Sequence, residues 1–275
     1  MMPVATLLDM PESPSYVALG SSYGSGPGLD PRAAGSPRRA GRSERNYAHL
    51  LAARLGLTLD DQTYSGETVA QITGEDSSSR RAPQLDAVGP QTRLVTVTAG
   101  GNDVGYIPRL ANASIPGLLR LPGMRRTVRE LGDQDATGRA FAALGTRLSA
   151  LCRIVAERSD AVVVLTDYLT LLPDDESVDT RPLSREIAAW GRDVAHRLSD
   201  TVAAVADAEG ALFASAAEHS REHHAWSAEP WTSGFTLSLR GGAPYHPNAA
   251  GMDAVAELLE GLVRPRLADS RHSAV

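Results

Sequence analysis

Four short stretches together supply the parts of nucleophilic acyl chemistry: Gly20-Ser21-Ser22-Tyr23-Gly24, Ser65-Gly66, Gly100-Gly101-Asn102-Asp103 and Tyr245-His246-Pro247-Asn248. A serine hydroxyl attacks a carbonyl only when a base takes its proton, and the oxyanion that develops needs fixed hydrogen-bond donors. Ser22 offers the hydroxyl and His246 the base. The main-chain amides of Ser22 and Gly66, with the side-chain amide of Asn102, offer the donors. Each has an ordinary reading when taken singly: Ser and Gly furnish turns, Asn102-Asp103 an Asx turn, Asn248 a helix N-cap. The ordered set, and no single member, points to chemistry.

Two rival patterns share the chain. Gly20 to Gly24 also satisfies G-x-S-x-G, the nucleophile elbow of α/β-hydrolases, but that elbow follows several strands and this one follows the first. His219-Ser-Arg-Glu222-His223 matches the zinc pattern H-x-x-E-H, with His224 beside it, which would make a metallohydrolase with Glu222 as base. Zinc ligation needs that run on a helix, whereas Gly210 upstream and Trp226, Pro230 and Trp231 downstream predict a loop. Surface or substrate-lining histidines are the default reading there. Trp226, Trp231 and Phe235 are either a plug under that loop or one wall of an acyl pocket. Arg38, Arg39, Arg42, Arg80 and Arg81 read as solvated loop charges.

The elements that must position these residues alternate. Tyr16 to Gly20, Leu57 to Tyr64, Arg93 to Thr98, Ala161 to Thr166 and Ala211 to Ala214 read as strands, and Ser21 to Gly41 as a long surface loop. Helices are expected over Glu44–Leu55 with Ser43 as cap, Arg139–Arg158, Ser184–Ala208 and Asn248–Leu262. Residues 76–81 and 217–245 read as loops. Strands interleaved with helices give a parallel sheet covered on both faces, and chemistry gathers at the carboxyl ends of its strands. Residues 1–14 read as a tail, 15–266 as one domain and 267–275 as a second tail. The irregular stretch 104–138 suits a lid or substrate-facing insertion.

Composition narrows the chemistry. The 275 residues, 42% hydrophobic, suffice for one sizeable α/β core. A net charge of −6 argues against nucleic acid as a partner. All 27 basic residues are Arg, which excludes chemistry that needs a Lys amine, such as a pyridoxal Schiff base or a P-loop lysine. No apolar run approaches the ~20 residues of a membrane span, and the first residues lack the basic start of a secretory signal. The single Cys152, in an apolar helical pattern, reads as a buried thiol and fits a reducing, cytoplasmic location.

The blocks YVALGSSYGSGPG, YSGET, TAGGNDVGY and YHPNAAGM, in that order over residues 16–260, resemble those of the SGNH/GDSL hydrolases, and most nearly the lipases and esterases of actinobacteria. The resemblance implies a three-layer α/β/α sandwich with a five-stranded, mainly parallel, flavodoxin-like sheet. It implies ester hydrolysis through an acyl-serine intermediate, with catalytic Ser22 and His246, an oxyanion hole of Ser22, Gly66 and Asn102, and no metal or cofactor. The expected partner is a small-molecule or lipid ester. The same site would serve an acyltransferase, and a binding protein that had lost catalysis is a third reading. Two departures stand out. Ser21 replaces the Asp of the Gly-Asp-Ser block, and Ala243 replaces the Asp that orients the histidine, so the carbonyl of Ala243 or Pro244 is expected to orient His246. Asp103 would support its loop. Tyr64 and Trp226 stand where secreted relatives have Cys, which agrees with the reducing location.

Overall fold

A computed structural model describes residues 15–76, 81–124, 133–235 and 243–272, with side chains in the last segment up to residue 268. The expected tail over 1–14, Arg80 and parts of the 104–138 and 217–245 stretches lie outside the described residues. Five strands, β1 (Tyr16–Gly20), β2 (Leu59–Asp61), β3 (Leu94–Thr98), β4 (Val162–Thr166) and β5 (Leu212–Ala214), form one parallel sheet in the order β2-β1-β3-β4-β5. The register sets Tyr16 beside Leu59 and Leu94, Leu94 beside Val162, and Val164 beside Leu212. This is the flavodoxin-like winding, whose direction switches between β1 and β3.

The helices are α1 (Ser22–Ser25), α2 (Tyr47–Leu55), α3 (Val69–Thr73), α4 (Tyr106–Ser114), α5 (Gln134–Arg158), α6 (Arg185–Glu209), α7 (Ala216–His219) and α8 (Ala249–His272). Side chains alternate across a strand. Val17, Leu19, Val95, Val97 and Leu165 therefore join one core with α3 to α6, while Tyr16, Ala18, Leu94 and Val164 join another with α2 and α8. The result is the expected three layers. Among the described residues no helix is long and apolar enough to cross a membrane.

Several boundaries differ from the sequence reading, each for a local reason. Helix α2 starts at Tyr47 because Asn46, not Ser43, accepts the His49 amide; Ser43 instead accepts from the Arg45 N–H at 2.9 Å. Strand β2 stops at Asp61, whose carboxylate turns back to accept the Thr63 N–H and O–H. Residues 21–41 begin with the buried turn of α1 and carry a 3₁₀ turn at Arg38–Ala40, so they are no simple surface loop. Helix α8 runs through Pro265 to His272, into the expected tail, because the buried stripe Leu259, Val263 and Leu267 continues past it. Residues 104–138 hold the buried α4 and the start of α5.

Candidate active site

Strand β1 delivers the first site residue. At Gly20 (φ 150°) the chain lies so close to β3 that a Cβ would sit 2.5 Å from the Thr98 carbonyl oxygen. The Ser21 N–H continues the ladder to Thr98, and its carbonyl then accepts the Gly24 and Ser25 amides as the chain winds into α1. Ser22 is thus the first helical residue, where an N–H has no acceptor within the helix.

His246 lies on the opposite bank, in a turn held from both sides. Tyr245 adopts φ 62°. Its buried hydroxyl pairs with Ser114 Oγ at 2.5 Å, and its carbonyl accepts the hydroxyl of Tyr23, the neighbour of Ser22, at 2.8 Å. The Ser233 N–H donates to the His246 carbonyl at 2.8 Å, and the Tyr245 N–H to the Ser233 carbonyl at 3.1 Å. Asn248 caps α8 as expected, accepting the Gly251 N–H.

These turns bring Ser22 Oγ within 2.7 Å of His246 Nε2. His246 Nδ1 lies 2.8 Å from the Pro244 carbonyl. A carbonyl only accepts, so Nδ1 carries the proton of the neutral ring and Nε2 is left to accept from Ser22. Of the two carbonyls expected to orient the ring, Pro244 does so; that of Ala243 accepts the Ser233 hydroxyl. Burial pushes the His246 pKa down to about 4, against the smaller upward effect of the Pro244 hydrogen bond.

Gly66 and Asn102 join Ser22 and His246 around a cavity of about 330 Å³. Asn102 follows β3 across the switch point from Ser22, and its Nδ2 donates to the Glu67 carbonyl at 2.8 Å. Ile107, Pro108 and Ala111 of α4 form an apolar wall, so part of the expected insertion borders the site. Asp103 supports its loop: its carboxylate accepts the Val69 N–H at the start of α3. A larger cavity, of about 420 Å³, opens beyond Leu171. Among its charged side chains Arg221 pairs with Asp174 and Glu218.

The model of the GDSL-like lipase/acylhydrolase family matches residues 18–254. The chain belongs to that family. Lipase 2 of Streptomyces coelicolor is 31% identical over 256 residues, covering 88% of this chain and 83% of that protein. Two solved structures are similar: phospholipase A1 from Streptomyces albidoflavus (22% identity, TM-score 0.71, 90% of this chain and 99% of that one) and an extracellular lipase from Streptomyces rimosus (25%, 0.70, 90% and 98%). This GDSL enzyme is a carboxylic ester hydrolase.

Where the resemblance put an Asp, the GDSL enzyme has Ser21 next to a tyrosine that the sequence reading missed. Tyr168 OH lies 3.3 Å from Ser21 Oγ and accepts the Gly101 N–H at 3.0 Å, tying the end of β1 to the loop of Asn102. Its position just after β4, at the carboxyl end of a strand, was the available signal. Tyr23 and Tyr245, which with Ser233 tie the two banks together, stand inside the quoted blocks, and Ser233 outside them.

The zinc pattern does not converge. His219 ends α7, and His223 sits in a separate 3₁₀ turn, its ring stacked on Trp231 at 3.9 Å with Nδ1 at 2.8 Å from the Glu229 carbonyl. Glu222 shares that turn, and His224 Nδ1 accepts the Trp226 N–H at 3.2 Å. Among the described residues no group of three or more His, Cys, Asp or Glu side chains could hold a metal ion. Trp231 packs between histidines, and Trp226 and Phe235 pack around Tyr245, so the three aromatics plug the loop instead of lining the cavity. Two of the arginines are not simply solvated: Arg42 donates to the Thr63 carbonyl at 2.7 Å, and Arg81 pairs with Glu67 and lies 3.5 Å over the Tyr64 ring. Cys152 is buried, as expected, and its thiol is pushed up to about 11.

Proposed function

We propose that this GDSL hydrolase cleaves its esters through a Ser22–His246 dyad. The observation that carries the reading is the 2.7 Å approach of Ser22 Oγ to His246 Nε2, with Nδ1 committed to Pro244. His246 takes the Ser22 proton as Oγ bonds to the ester carbonyl carbon, whose π electrons move onto oxygen. The Ser22 and Gly66 amides and Asn102 Nδ2 hold that oxyanion. Its collapse breaks the bond to the alkoxy oxygen, which takes the proton from His246 and leaves as the alcohol. Water, deprotonated by His246, then attacks the acyl-Ser22 ester; as the second oxyanion collapses, the bond to Ser22 Oγ breaks, Oγ takes the proton back from His246, and the carboxylic acid leaves. All of this needs neither metal nor cofactor.

The cavity size and the α4 wall favour a small-molecule or lipid ester of short to medium acyl chain. A reducing, cytoplasmic location belongs to the same proposal and rests on the lone buried thiol; the similar S. rimosus enzyme is extracellular. Recovery of the native protein from the culture medium would overturn that part.

The test assays p-nitrophenyl esters of increasing chain length with wild type, Ser22→Ala and His246→Ala, with and without a chelator. Each substitution should cost at least about 10³-fold in kcat, with no effect of the chelator. Chelator-sensitive activity that survives Ser22→Ala would sink the dyad and revive the zinc motif. Product analysis with added alcohol separates hydrolysis from acyl transfer.

A further inference from the structure

A buried polar chain runs behind the oxyanion donors and touches none of the cavity. Gln84 opens a 3₁₀ turn far from every sequence block and is 1% exposed. Its Oε1 accepts the Gly20 N–H at 2.8 Å, and its Nε2 donates to the Gly20 carbonyl at 3.0 Å and to Glu67 Oε2 at 2.5 Å. The Glu67 carboxylate, on a residue 8% exposed, also pairs with Arg81. The Glu67 carbonyl accepts from Asn102 Nδ2 at 2.8 Å.

Each donor proposed for the oxyanion is attached to this chain. Ser22 lies two residues after Gly20, Gly66 directly precedes Glu67, and Asn102 is tied to the Glu67 carbonyl. A primary amide has two N–H bonds, so committing one of them to Glu67 leaves the second for an oxyanion in the cavity that Asn102 lines. Burying a carboxylate and an amide costs solvation that an apolar filler of similar size would avoid. What the polar set supplies is direction: Gln84 makes three hydrogen bonds and adds a buried side-chain tie between two loops already linked by the Tyr64 N–H to the Gly20 carbonyl and by Ser25 Oγ with Ser65 Oγ.

We infer that Gln84 and Glu67 are positioning residues that brace the nucleophile turn against the Gly66–Asn102 loop, and so hold the oxyanion donors at working distance. The inference rests on the Ser22–His246 reading.

The experiment measures kcat and KM for p-nitrophenyl butyrate, scaled to the sites phosphonylated by a fluorophosphonate, together with inhibition by an alkylboronic acid that forms a tetrahedral adduct on serine. Gln84→Met should lower kcat per titrated site roughly 10- to 100-fold, leave KM within about threefold, and weaken the boronic acid as much as kcat/KM falls. Gln84→Glu should lose as much, because it sets two carboxylates together. Adding Glu67→Gln to it restores a donor–acceptor pair and should recover at least about threefold. Full kcat per titrated site in Gln84→Met, with only fewer sites or a lower Tm, would overturn the inference while leaving the dyad intact. So would a double variant no better than Gln84→Glu. Absence of phosphonylation at Ser22 in wild type would overturn the dyad and the inference together.

Discussion

His246 should remain an unprotonated base about two and a half pH units further into acid than an ordinary histidine. The residue is 9% exposed, has no carboxylate partner among the described residues, and burial pushes its pKa down to about 4. At pH 5.5 a ring of pKa about 4 is about 97% neutral, whereas one at the usual ~6.5 would be about 9% neutral. Wild-type kcat/KM should therefore fall little between pH 7 and 5.5 and reach half its plateau near pH 4. Initial rates with p-nitrophenyl butyrate, sampled at each pH and read after adjustment to pH 9, give the profile. The companion variant is Ala243→Asp, which places a carboxylate three residues before His246, on a residue that lines the cavity. An opposite charge within ~4–6 Å raises a histidine by about 1–3 units. The acid limb should then move up to between roughly pH 5 and 7, with turnover at pH 8 unchanged or higher because the imidazolium of the transition state gains a full charge. A wild-type limb at 6 to 7 would refute the claim that burial governs this ring. A limb that stays put in Ala243→Asp, or a large loss of turnover at pH 8, would show that Pro244 is not the group whose role an aspartate can take over.

Other outcomes follow from single contacts. Gly251→Ala places a Cβ 2.3 Å from the Trp231 carbonyl, in the segment whose Ser233 bonds the His246 carbonyl, so it should cost about 1–3 kcal/mol in urea unfolding and lower kcat as well. Cys152, at about 11, is about 0.1% thiolate at pH 8; Ellman's reagent should leave it untouched over minutes in the native protein and titrate it fully in guanidinium. Burial raises Asp167 to about 6 despite bonds from Ser199 and the Ala217 amide, so the folded form keeps its proton to higher pH than the unfolded chain, and stability is lost as pH rises from about 4 to 6. Asp167→Asn should therefore raise stability at pH 8 by about 1–2 kcal/mol and leave it nearly unchanged at pH 4; a drop at pH 8 would show that the charged form is better solvated than its burial implies.

Some features were legible because a local pattern reports a local physical need. The β-branched run before Gly100 has to be a strand buried on both faces, and it is β3. The convergence of Ser22, Gly66, Asn102 and His246 on one cavity was legible because each sits in a short block at the end of an element. Gln84 had no such signal: it is one amide in a polar stretch, and its function depends on Gly20, 64 positions earlier. The orienting carbonyl was narrowed only to Ala243 or Pro244, since backbone direction at a turn is set by Tyr245 and its remote partners Tyr23 and Ser114. Capping was misassigned because Ser43 and Asn46 have equivalent chemistry; the fold chooses Asn46, whose amide also reaches the Ser25 carbonyl and Asp61. The expected helix end at Leu262 is overruled by the apolar stripe of Leu259, Val263 and Leu267, which continues past Pro265.

The missing carboxylate bears on how catalytic work is divided. A base of pKa about 4 accepts a proton from serine less readily in the ground state than one near 6.5. Its protonated form, however, exists only while an oxyanion sits a few ångströms away, and that charge stabilises the imidazolium as an aspartate would. The oxyanion can do so only if it is itself held in place, a task that the proposed mechanism gives to the Ser22, Gly66 and Asn102 donors. In this enzyme, then, the precision of the oxyanion site and the strength of the base are one quantity viewed from two sides. Loosening the Gln84–Glu67 brace should therefore weaken His246 as a base as well, and a Gln84→Met enzyme should gain more from Ala243→Asp than wild type does. Equal gains in the two backgrounds would separate the oxyanion site from the base and refute the coupling.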